Sequence, residues 1–194
     1  ARDIRKFIVM QFRPTAGRTV SKDTSNDNTG LGTASTSGNI TTTGTDEVVV
    51  GYSDLFNSQP TTAEQINGVA ADGVSRQAPA SMWYRILSAT FAAGGASCTQ
   101  GISDSWTCGI MAFKATAAGI AAESPSQKTG NAPAAGAATI VQAFPNNVQA
   151  GSLVIVICGK NGTNPFVAGD CTKTAGTSTL SAFTLDKVQT NATD

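Results

Sequence analysis

The sequence predicts an all-β protein built as a two-sheet antiparallel sandwich. The chain has 194 residues, enough for one large β domain with a sizeable core or for two small ones. Its apolar runs are short and rich in β-branched or aromatic residues, and clusters of Gly, Ser, Thr, Asn and Asp separate them. This pattern is typical of antiparallel sandwiches and jelly rolls rather than of alternating strand–helix units.

Seven segments of the chain carry the strand pattern. Several are apolar at almost every position, so we expect these strands to be covered on both faces. A short helical turn is predicted only in PTTAEQINGVA, residues 60–70. In chain order the strand segments are KFIVMQF at 6–12, DEVVVGYS at 46–53, SMWYRILSATF at 81–91, TCGIMAFKA at 107–115, ATIVQAF at 138–144, GSLVIVICG at 151–159 and SAFTLDKVQT at 181–190.

One long segment lacks this pattern. Residues 115–139 combine small residues with Pro and Gly and show no periodicity, which is typical of a linker or extended connector. The segment divides the chain into residues 1–114 and residues 140–194. We interpret the first block as the C-terminal part of a sandwich and the second as the N-terminal part of the same or the next sandwich.

The charge composition narrows the classes of partner. Thirteen basic and thirteen acidic residues give a formal net charge of zero, and charged residues make up 13% of the chain, against about 25% in an average soluble protein. A chain without a basic excess has no electrostatic footprint for nucleic acid. No apolar run approaches the roughly 18 residues of a membrane-spanning helix. Weak charge repulsion also suits association between copies.

The absence of histidine and the scattered positions of the acidic residues argue against catalysis. Without histidine, no serine–histidine or cysteine–histidine pair can form. We therefore predict that the protein is not an enzyme and needs no cofactor. The alternative is a hydrolase that uses carboxylates alone, which requires two carboxylates to face each other across a cleft. The acidic residues considered for it are Asp46, Glu47, Asp54, Glu64, Asp72 and Asp104.

The four cysteines form two local pairs. Cys98 and Cys108 are one pair, and Cys158 and Cys171 are the other. We predict a disulfide within each pair, because each would close a loop between two strand-like runs, and disulfides imply an extracellular setting. The alternative is four buried free thiols in a cytosolic protein.

Two weaker patterns suggest ligands. Asp23, Ser25 and Asp27 offer oxygen atoms at alternate positions, a weak Ca²⁺ candidate that lacks the later glutamate of an EF-hand; a solvated turn is the favoured interpretation. The aromatic residues Trp83, Tyr84 and Trp106 are candidates for a carbohydrate-stacking platform. Adjacent strand residues point to opposite faces, so Trp83 and Tyr84 cannot share one platform, and a core position is favoured.

Three Asn-x-Ser/Thr sequons are candidate glycosylation sites. They lie in or beside polar loops, where a glycan can be accommodated. The residues are Asn39, Asn161 and Asn191.

The order of the strand segments carries a resemblance. A GSLVIVIC strand, a Gly/Thr-rich loop and a TLDKVQTN strand close the chain, whereas IRKFIVMQF, ITTTGTDEVVVGY and WYRILSATF…WTCGIMAFKA come first. In rotated order these pieces resemble the tandem-repeated jelly-roll or immunoglobulin-like sandwich domains of secreted bacterial surface proteins. The resemblance implies a secreted β-sandwich.

The two ends of the chain fit together in this rotated order. FTLDKVQTNATD followed by ARDIRKFIVMQF has the pattern of one hairpin. We therefore expect residues 7–12 to pair with residues 182–190, from this chain or from the next. The chain is then one period of a tandem polypeptide, a subunit completed by a neighbour's strand, or a permuted monomer. The predicted assembly residues are Phe7, Ile8, Val9, Met10, Phe12, Phe183, Leu185 and Val188.

These observations predict a structural subunit of an extracellular bacterial filament or surface array, assembling by strand complementation between units. The expected partner is the chain itself. The alternative is a carbohydrate-binding or adhesive module of a secreted protein.

Overall fold

The computed structural model of the chain describes residues 6–14, 18–56, 60–115, 120–121, 128–131, 148 and 152–159. Every regular element in these ranges is a β-strand and every pairing is antiparallel, which confirms the predicted all-β sandwich class. The strands are β1 (Lys6–Pro14), β2 (Val20–Thr36), β3 (Glu47–Leu55), β4 (Thr61–Ile66), β5 (Val69–Ala70), β6 (Gly73–Gln77), β7 (Ala80–Leu87), β8 (Ala96–Ala115), β9 (Ile120–Ala121), β10 (Lys128–Asn131) and β11 (Leu153–Gly159).

The smaller sheet is centred on β1. Residues 6–12 pair with residues 153–159 of β11 on one edge. Residues 7–10 pair with residues 128–131 of β10 on the other edge, and β9 pairs with the last two residues of β1. The blocks on either side of the predicted linker therefore share one sheet, and residues 120–121 and 128–131 of that linker are strands of it.

This arrangement corrects the predicted partner of β1. A strand has only two hydrogen-bonding edges, and over residues 7–10 both are occupied from within the chain. The expected pairing of residues 7–12 with residues 182–190 is therefore wrong over this stretch. Residues 182–190, including the predicted assembly residues Phe183, Leu185 and Val188, lie outside the described residues.

The larger sheet is organised by β8, which spans 20 residues. β3 and then β4 pair with one edge of β8, and β2 pairs with the other edge. β7 and β6 extend the sheet beyond β3, and β5 extends it beyond β4.

A bend in β8 curls this sheet. Gly32 of β2 pairs with Asp104 of β8, but Ala34 pairs with Thr99. Two steps along β2 therefore correspond to five steps along β8, and the extra residues of β8 form an irregularity in the pairing. Such bulges bend a strand and increase its twist. The bend brings β4 against β7, where the indole Nε1 of Trp83 donates to the carbonyl of Gln65 at 3.0 Å.

β3 is covered on both faces. Val48, Val49 and Val50 are all fully buried, which confirms the expectation drawn from the continuously apolar run. Val49 faces the interior of the curled sheet, whereas Val48 and Val50 pack against β1 of the smaller sheet. Burial of a valine side chain contributes about 1.5–3 kcal/mol, so β3 ties the two cores together.

The two cores have separate members. The core inside the curled sheet comprises Ile40, Val49, Leu55, Ile66, Trp83, Leu87, Ala96, Cys98, Trp106, Cys108, Ile110 and Ala112. The core between the sheets comprises Ile8, Met10, Phe12, Val48, Val50, Ala80, Met82 and Ile155.

The segment predicted to hold a helical turn forms the β4–β5 hairpin instead. Asn67 and Gly68 make its two-residue turn, with φ angles of 52° and 72°. Two positive φ angles match the twist of the flanking strands, and Asn-Gly is the pair that adopts them most readily. The turn sequence outweighs the helical pattern here. The part of the chain that the structure describes contains no helix long and apolar enough to cross a membrane.

Candidate functional site

The most chemically distinctive group in the described residues lies where β2, β3 and β8 run side by side. We call it the Lys114 cluster; it consists of Asp23, Thr43, Glu47 and Lys114. Lys114 and Glu47 are register partners near the end of β8 and at the start of β3. The cluster therefore depends on sheet register and not on proximity in sequence.

A bulge in β2 places Asp23. Lys22 pairs with Phe113 and Thr24 pairs with Ala112, so Asp23 is the extra residue between two consecutive pairs. An unpaired residue in a bulge is free to point its side chain away from the regular alternation.

The Asp23 carboxylate is tightly held. Lys114 Nζ donates to Oδ1 at 2.7 Å, and Thr43 donates to the same oxygen through its hydroxyl at 2.5 Å and to Oδ2 through its backbone N–H at 2.8 Å. The Asp23 side chain is 4% exposed and that of Lys114 is 40% exposed. Burial acts to raise the pKa of Asp23, but the hydrogen bonds from Lys114 and Thr43 outweigh it and bring the pKa to about 2.

Glu47 is the second carboxyl group of the cluster, and it is fully buried. It accepts a hydrogen bond from the backbone N–H of Gly44 and lies close enough to Asp23 for the charge of that residue to act on it. Burial raises the pKa of Glu47, and the neighbouring negative charge of Asp23 raises it further. Its Oε2 atom has no hydrogen-bond partner among the described residues. The pKa values of the two carboxyl groups are therefore shifted in opposite directions.

The Lys114 cluster is closed to large substrates. Glu47 is one of the acidic residues that a carboxylate-only hydrolase could use, and the structure places it beside a second carboxylate. Both side chains, however, are shielded from solvent, so a sugar ring cannot lie between them as glycoside hydrolysis requires.

A second polar group, built around the buried Glu64, joins β4 to β6 and β7. Arg76 donates through Nε to Glu64 Oε1 at 2.6 Å and through Nη2 to Oε2. Thr61 donates to Glu64 Oε1 at 2.7 Å and is 2.5 Å from Ser81 Oγ. Burial acts to raise the pKa of Glu64, but the hydrogen bonds from Arg76 and Thr61 hold it below its usual value. A bidentate ion pair of this kind fixes one strand against another.

The predicted disulfide between Cys98 and Cys108 is wrong, because both cysteines are free and buried. The prediction assumed a loop between two strands, whereas both residues belong to the single strand β8. Burial raises the pKa of Cys98 to about 11. Burial, together with the nearby Cys98, holds the pKa of Cys108 well above its usual value. The pairing of Cys158 with Cys171 falls outside the described side chains.

The predicted calcium ligands are not brought together. Asp23, Ser25 and Asp27 all lie on β2, but Asp23 sits in the bulge, where Lys114 occupies the place that a cation would take. No group of three or more metal-binding side chains occurs in the described part of the chain.

The aromatic residues form core contacts, not a platform. Trp83 and Trp106 are buried inside the curled sheet. Tyr84 points to the opposite face, where its ring meets Phe12 edge-on with centroids 5.1 Å apart. The expectation that Trp83 and Tyr84 lie on opposite faces is confirmed.

Among the predicted glycosylation sites, Asn39 is exposed in the segment after β2. Its backbone carbonyl accepts a hydrogen bond from the Asn26 side chain at 2.9 Å. Asn161 and Asn191 lie outside the described residues.

One surface feature of the sheet was not predicted from the sequence. Leu31 and Phe56 lie on either side of Ser105 of β8. Leu31 is the register partner of Ser105 on β2, and the backbone N–H of Phe56 donates to the Ser105 carbonyl at 3.0 Å. Directly opposite residues share a face and adjacent residues alternate. Because Trp106 points into the core, this row points outward, and Leu31 is 76% and Phe56 50% exposed. We call Leu31, Ser105 and Phe56 the apolar row.

Lys114 and Thr43 were not predicted from the sequence as site residues. The sequence did carry a signal for the cluster: Lys114 stands near the end of the apolar segment TCGIMAFKA, and Glu47 directly precedes Val48–Val50. A charge at the end of a buried strand needs a partner, but the sequence does not identify that partner.

Comparisons with known proteins give no relative. The chain matches no protein-family model, no curated protein and no solved structure.

Proposed function

We propose that this chain is a structural subunit that associates with further copies of itself, as a building block of an extracellular bacterial filament or surface array. The observation that carries the proposal is the apolar row, which lies beside the outer edge of β2. Among the described residues, β2 pairs with β8 alone. A strand edge next to exposed apolar side chains is a surface on which another chain can pack.

The composition supports self-association. With equal numbers of acidic and basic residues and few of either, copies of the chain repel one another weakly. The carboxylates of Asp23 and Glu64 are held by hydrogen-bond partners within the fold. Their arrangement stabilises strands and leaves them shielded from any large ligand.

We expect the contact between copies to lie around Leu31 and not at β1. Both edges of β1 are occupied over residues 7–10. On β2, the side-chain oxygen of Asn26 accepts the N–H of Asp27 and that of Asn28 accepts the N–H of Thr29, at 2.9 and 3.0 Å. These local bonds satisfy donors that strand addition needs, so pairing is expected beyond Thr29.

The extracellular setting rests on the resemblance in strand order alone. Disulfides were the independent argument for it, and the free thiols of Cys98 and Cys108 remove that argument for the described pair.

The test is the assembly state of the purified chain, measured by light scattering after size exclusion and by negative-stain microscopy. We expect concentration-dependent oligomers or filaments from the wild type. The double variant Leu31→Ser with Phe56→Ser removes two exposed apolar side chains, each of which contributes about 1 kcal/mol or more when covered. We expect it to weaken association about 30-fold.

Val69→Ser is the matched control, because Val69 is also half-exposed but lies on β5 and not in the apolar row. It is expected to assemble like the wild type. A wild-type chain that stays monomeric at high concentration, or a double variant that assembles as well as Val69→Ser, would refute the proposal.

A further inference from the structure

We propose that two copies of this chain join about a two-fold axis, with residues 30–36 on the outer edge of β2 pairing antiparallel with the same residues of the second copy. This two-fold joint presupposes the self-association proposed above; what it adds is the surface that the partner supplies. An open backbone edge, the absence of charge along it and the apolar row beside it all favour this joint.

The backbone of Leu31 is directed away from β8. Its register partner on β8 is Ser105, whose carbonyl accepts the N–H of Phe56 on the opposite side. In an antiparallel strand, the N–H and the C=O of one residue point to the same side. Leu31 and Ser105 therefore form a non-hydrogen-bonded pair, and the N–H and C=O of Leu31 point to the outer edge of β2.

This open edge has a beginning and an end. Before it, the N–H groups of Asp27 and Thr29 are satisfied by the side chains of the asparagines that precede them, at 2.9 and 3.0 Å. After it, Ser37 is buried and lies out of a partner's reach. Residues 30–36 lie between these ends and form the free edge. Its exposed members are Leu31, Thr33, Ala34 and Thr36.

The free edge carries no charge. A two-fold axis brings the same residues of both copies together, so any charged side chain near the axis meets a like charge. The sequence has no Asp, Glu, Lys or Arg from residue 28 to residue 45. Edge strands are commonly protected against pairing by charged side chains, lysine in particular. This edge lacks that protection, so it can face its own copy without charge repulsion along the strand.

The apolar row gives the free edge a surface that suits its own copy. Covering Leu31 and Phe56 is favourable only when the covering surface is itself apolar. In the part of the chain that the structure describes, the other exposed large hydrophobic side chains are Ile102 and Val69. Ile102 belongs to the irregular part of β8 opposite residues 32–34, so three of these four side chains lie beside the free edge. The described surface that matches the apolar row is therefore the same region of a second copy.

The two-fold arrangement has a consequence for assembly. Each copy uses its β2 edge once, so the joint closes after two copies and does not by itself extend into a filament. The building block of the proposed filament or array is then a pair of chains whose larger sheets are continuous through β2. An extended assembly needs a second joint elsewhere on the surface.

The primary test is a scan of single cysteines along the edge, in a Cys158→Ser, Cys171→Ser background. Cross-linked pairs are counted on non-reducing gels after mild oxidation. In a two-fold antiparallel pair only positions near the axis face themselves, so the cross-linked fraction should have one maximum, within residues 30–36. Val69→Cys on β5 is the matched control and should not cross-link. The scanned variants are Thr29→Cys, Thr33→Cys, Ala34→Cys and Thr36→Cys.

A charge exchange at Thr33, the middle residue of the free edge, tests the symmetry in solution. Thr33→Lys and Thr33→Glu each place like charges across the axis, and each is expected to weaken pairing about fivefold. An equimolar mixture of the two should recover the pairing, because opposite charges then meet. Light scattering after size exclusion measures the association, and Val69→Lys is the matched control that should pair like the wild type.

Failure of the joint can be distinguished from failure of the proposed self-association. A wild-type chain that stays monomeric overturns both. A chain that associates, although no edge position cross-links with its own copy, overturns the two-fold joint and leaves the self-association standing. The same holds if the mixture of Thr33→Lys and Thr33→Glu pairs as weakly as either variant alone.

Discussion

Replacing Gly51 by alanine is expected to destabilise the fold, because Gly51 leaves room for the largest side chain of the core. Gly51 and Trp83 are register partners on β3 and β7. A methyl group at position 51 would lie 2.5 Å from Cε2 and Nε1 of Trp83 and 2.9 Å from Cβ of Ala96. Trp83 is fully buried and donates to the Gln65 carbonyl, so the indole cannot move without losing that bond.

The magnitude follows from three terms. Overpacking a core by one methyl group costs about 1–3 kcal/mol, and weakening the hydrogen bond to Gln65 costs about 1 kcal/mol. Replacing glycine lowers the entropy of the unfolded chain and offsets about 0.4–1 kcal/mol. We expect Gly51→Ala to lose about 2 kcal/mol, a shift of about 1 M in the urea midpoint.

The assay is urea unfolding followed by circular dichroism, with two comparisons. Gly101→Ala is the matched control, because a methyl group there meets no atom within 4 Å; it should be neutral or slightly stabilising. In a Trp83→Phe background the clashing indole atoms are gone, so Gly51→Ala should cost less than it does in the wild type. Equal stability of Gly51→Ala and Gly101→Ala, or an unchanged cost in the Trp83→Phe background, would refute this reasoning.

Three further predictions concern the Arg76–Glu64 ion pair and the buried cysteines. Arg76→Ala leaves the buried Glu64 carboxylate without its cation and should lower the free energy of unfolding by about 2 kcal/mol. This is less than the roughly 3–5 kcal/mol of a fully buried pair, because Arg76 is partly exposed. Adding Glu64→Gln should restore part of the lost stability, and an additive loss in urea unfolding would contradict this. The pKa of Glu64 is lowered in the folded chain, so the stability from this ion pair is present above the ordinary glutamate pKa. It is lost as the pH falls through the lowered pKa of the folded state. The free energy of unfolding of Arg76→Ala should therefore fall less steeply with acidification than that of the wild type. Cys98 and Cys108 should resist thiol reagents in the native chain, since burial raises both pKa values. Both should react fully in denaturant. Peptide mapping of the denatured, unreduced chain assigns the reactive thiols, and fewer than two from this pair would indicate a disulfide.

Local alternation was sufficient for several structural features. The run Val48–Val50 predicted a strand covered on both faces, and the adjacent pair Trp83 and Tyr84 predicted opposite orientations. The Asn67-Gly68 turn was also present as a signal, although it was interpreted as part of a helical segment. Each of these features depends on residues within a few positions of one another, where backbone geometry alone decides the outcome.

The candidate site depended on distant residues. Asp23, Glu47 and Lys114 carry no common spacing in the sequence, and their meeting requires the register of β2 and β3 on β8 together with a one-residue bulge. A shift of one residue in that register would turn every side chain to the other face. The apolar row around Ser105 is likewise a property of register.

The sequence by itself determined that this chain is a β protein with strands buried on both faces, because hydrophobic alternation and turn residues act locally. Only the tertiary structure decided that Cys98 and Cys108 share one bent strand as free thiols, that β1 is enclosed by β10 and β11, and that a lysine meets an aspartate 91 positions away. These outcomes follow from which strands pair and in what register, and that choice minimises the free energy of the whole sheet and not of any one segment.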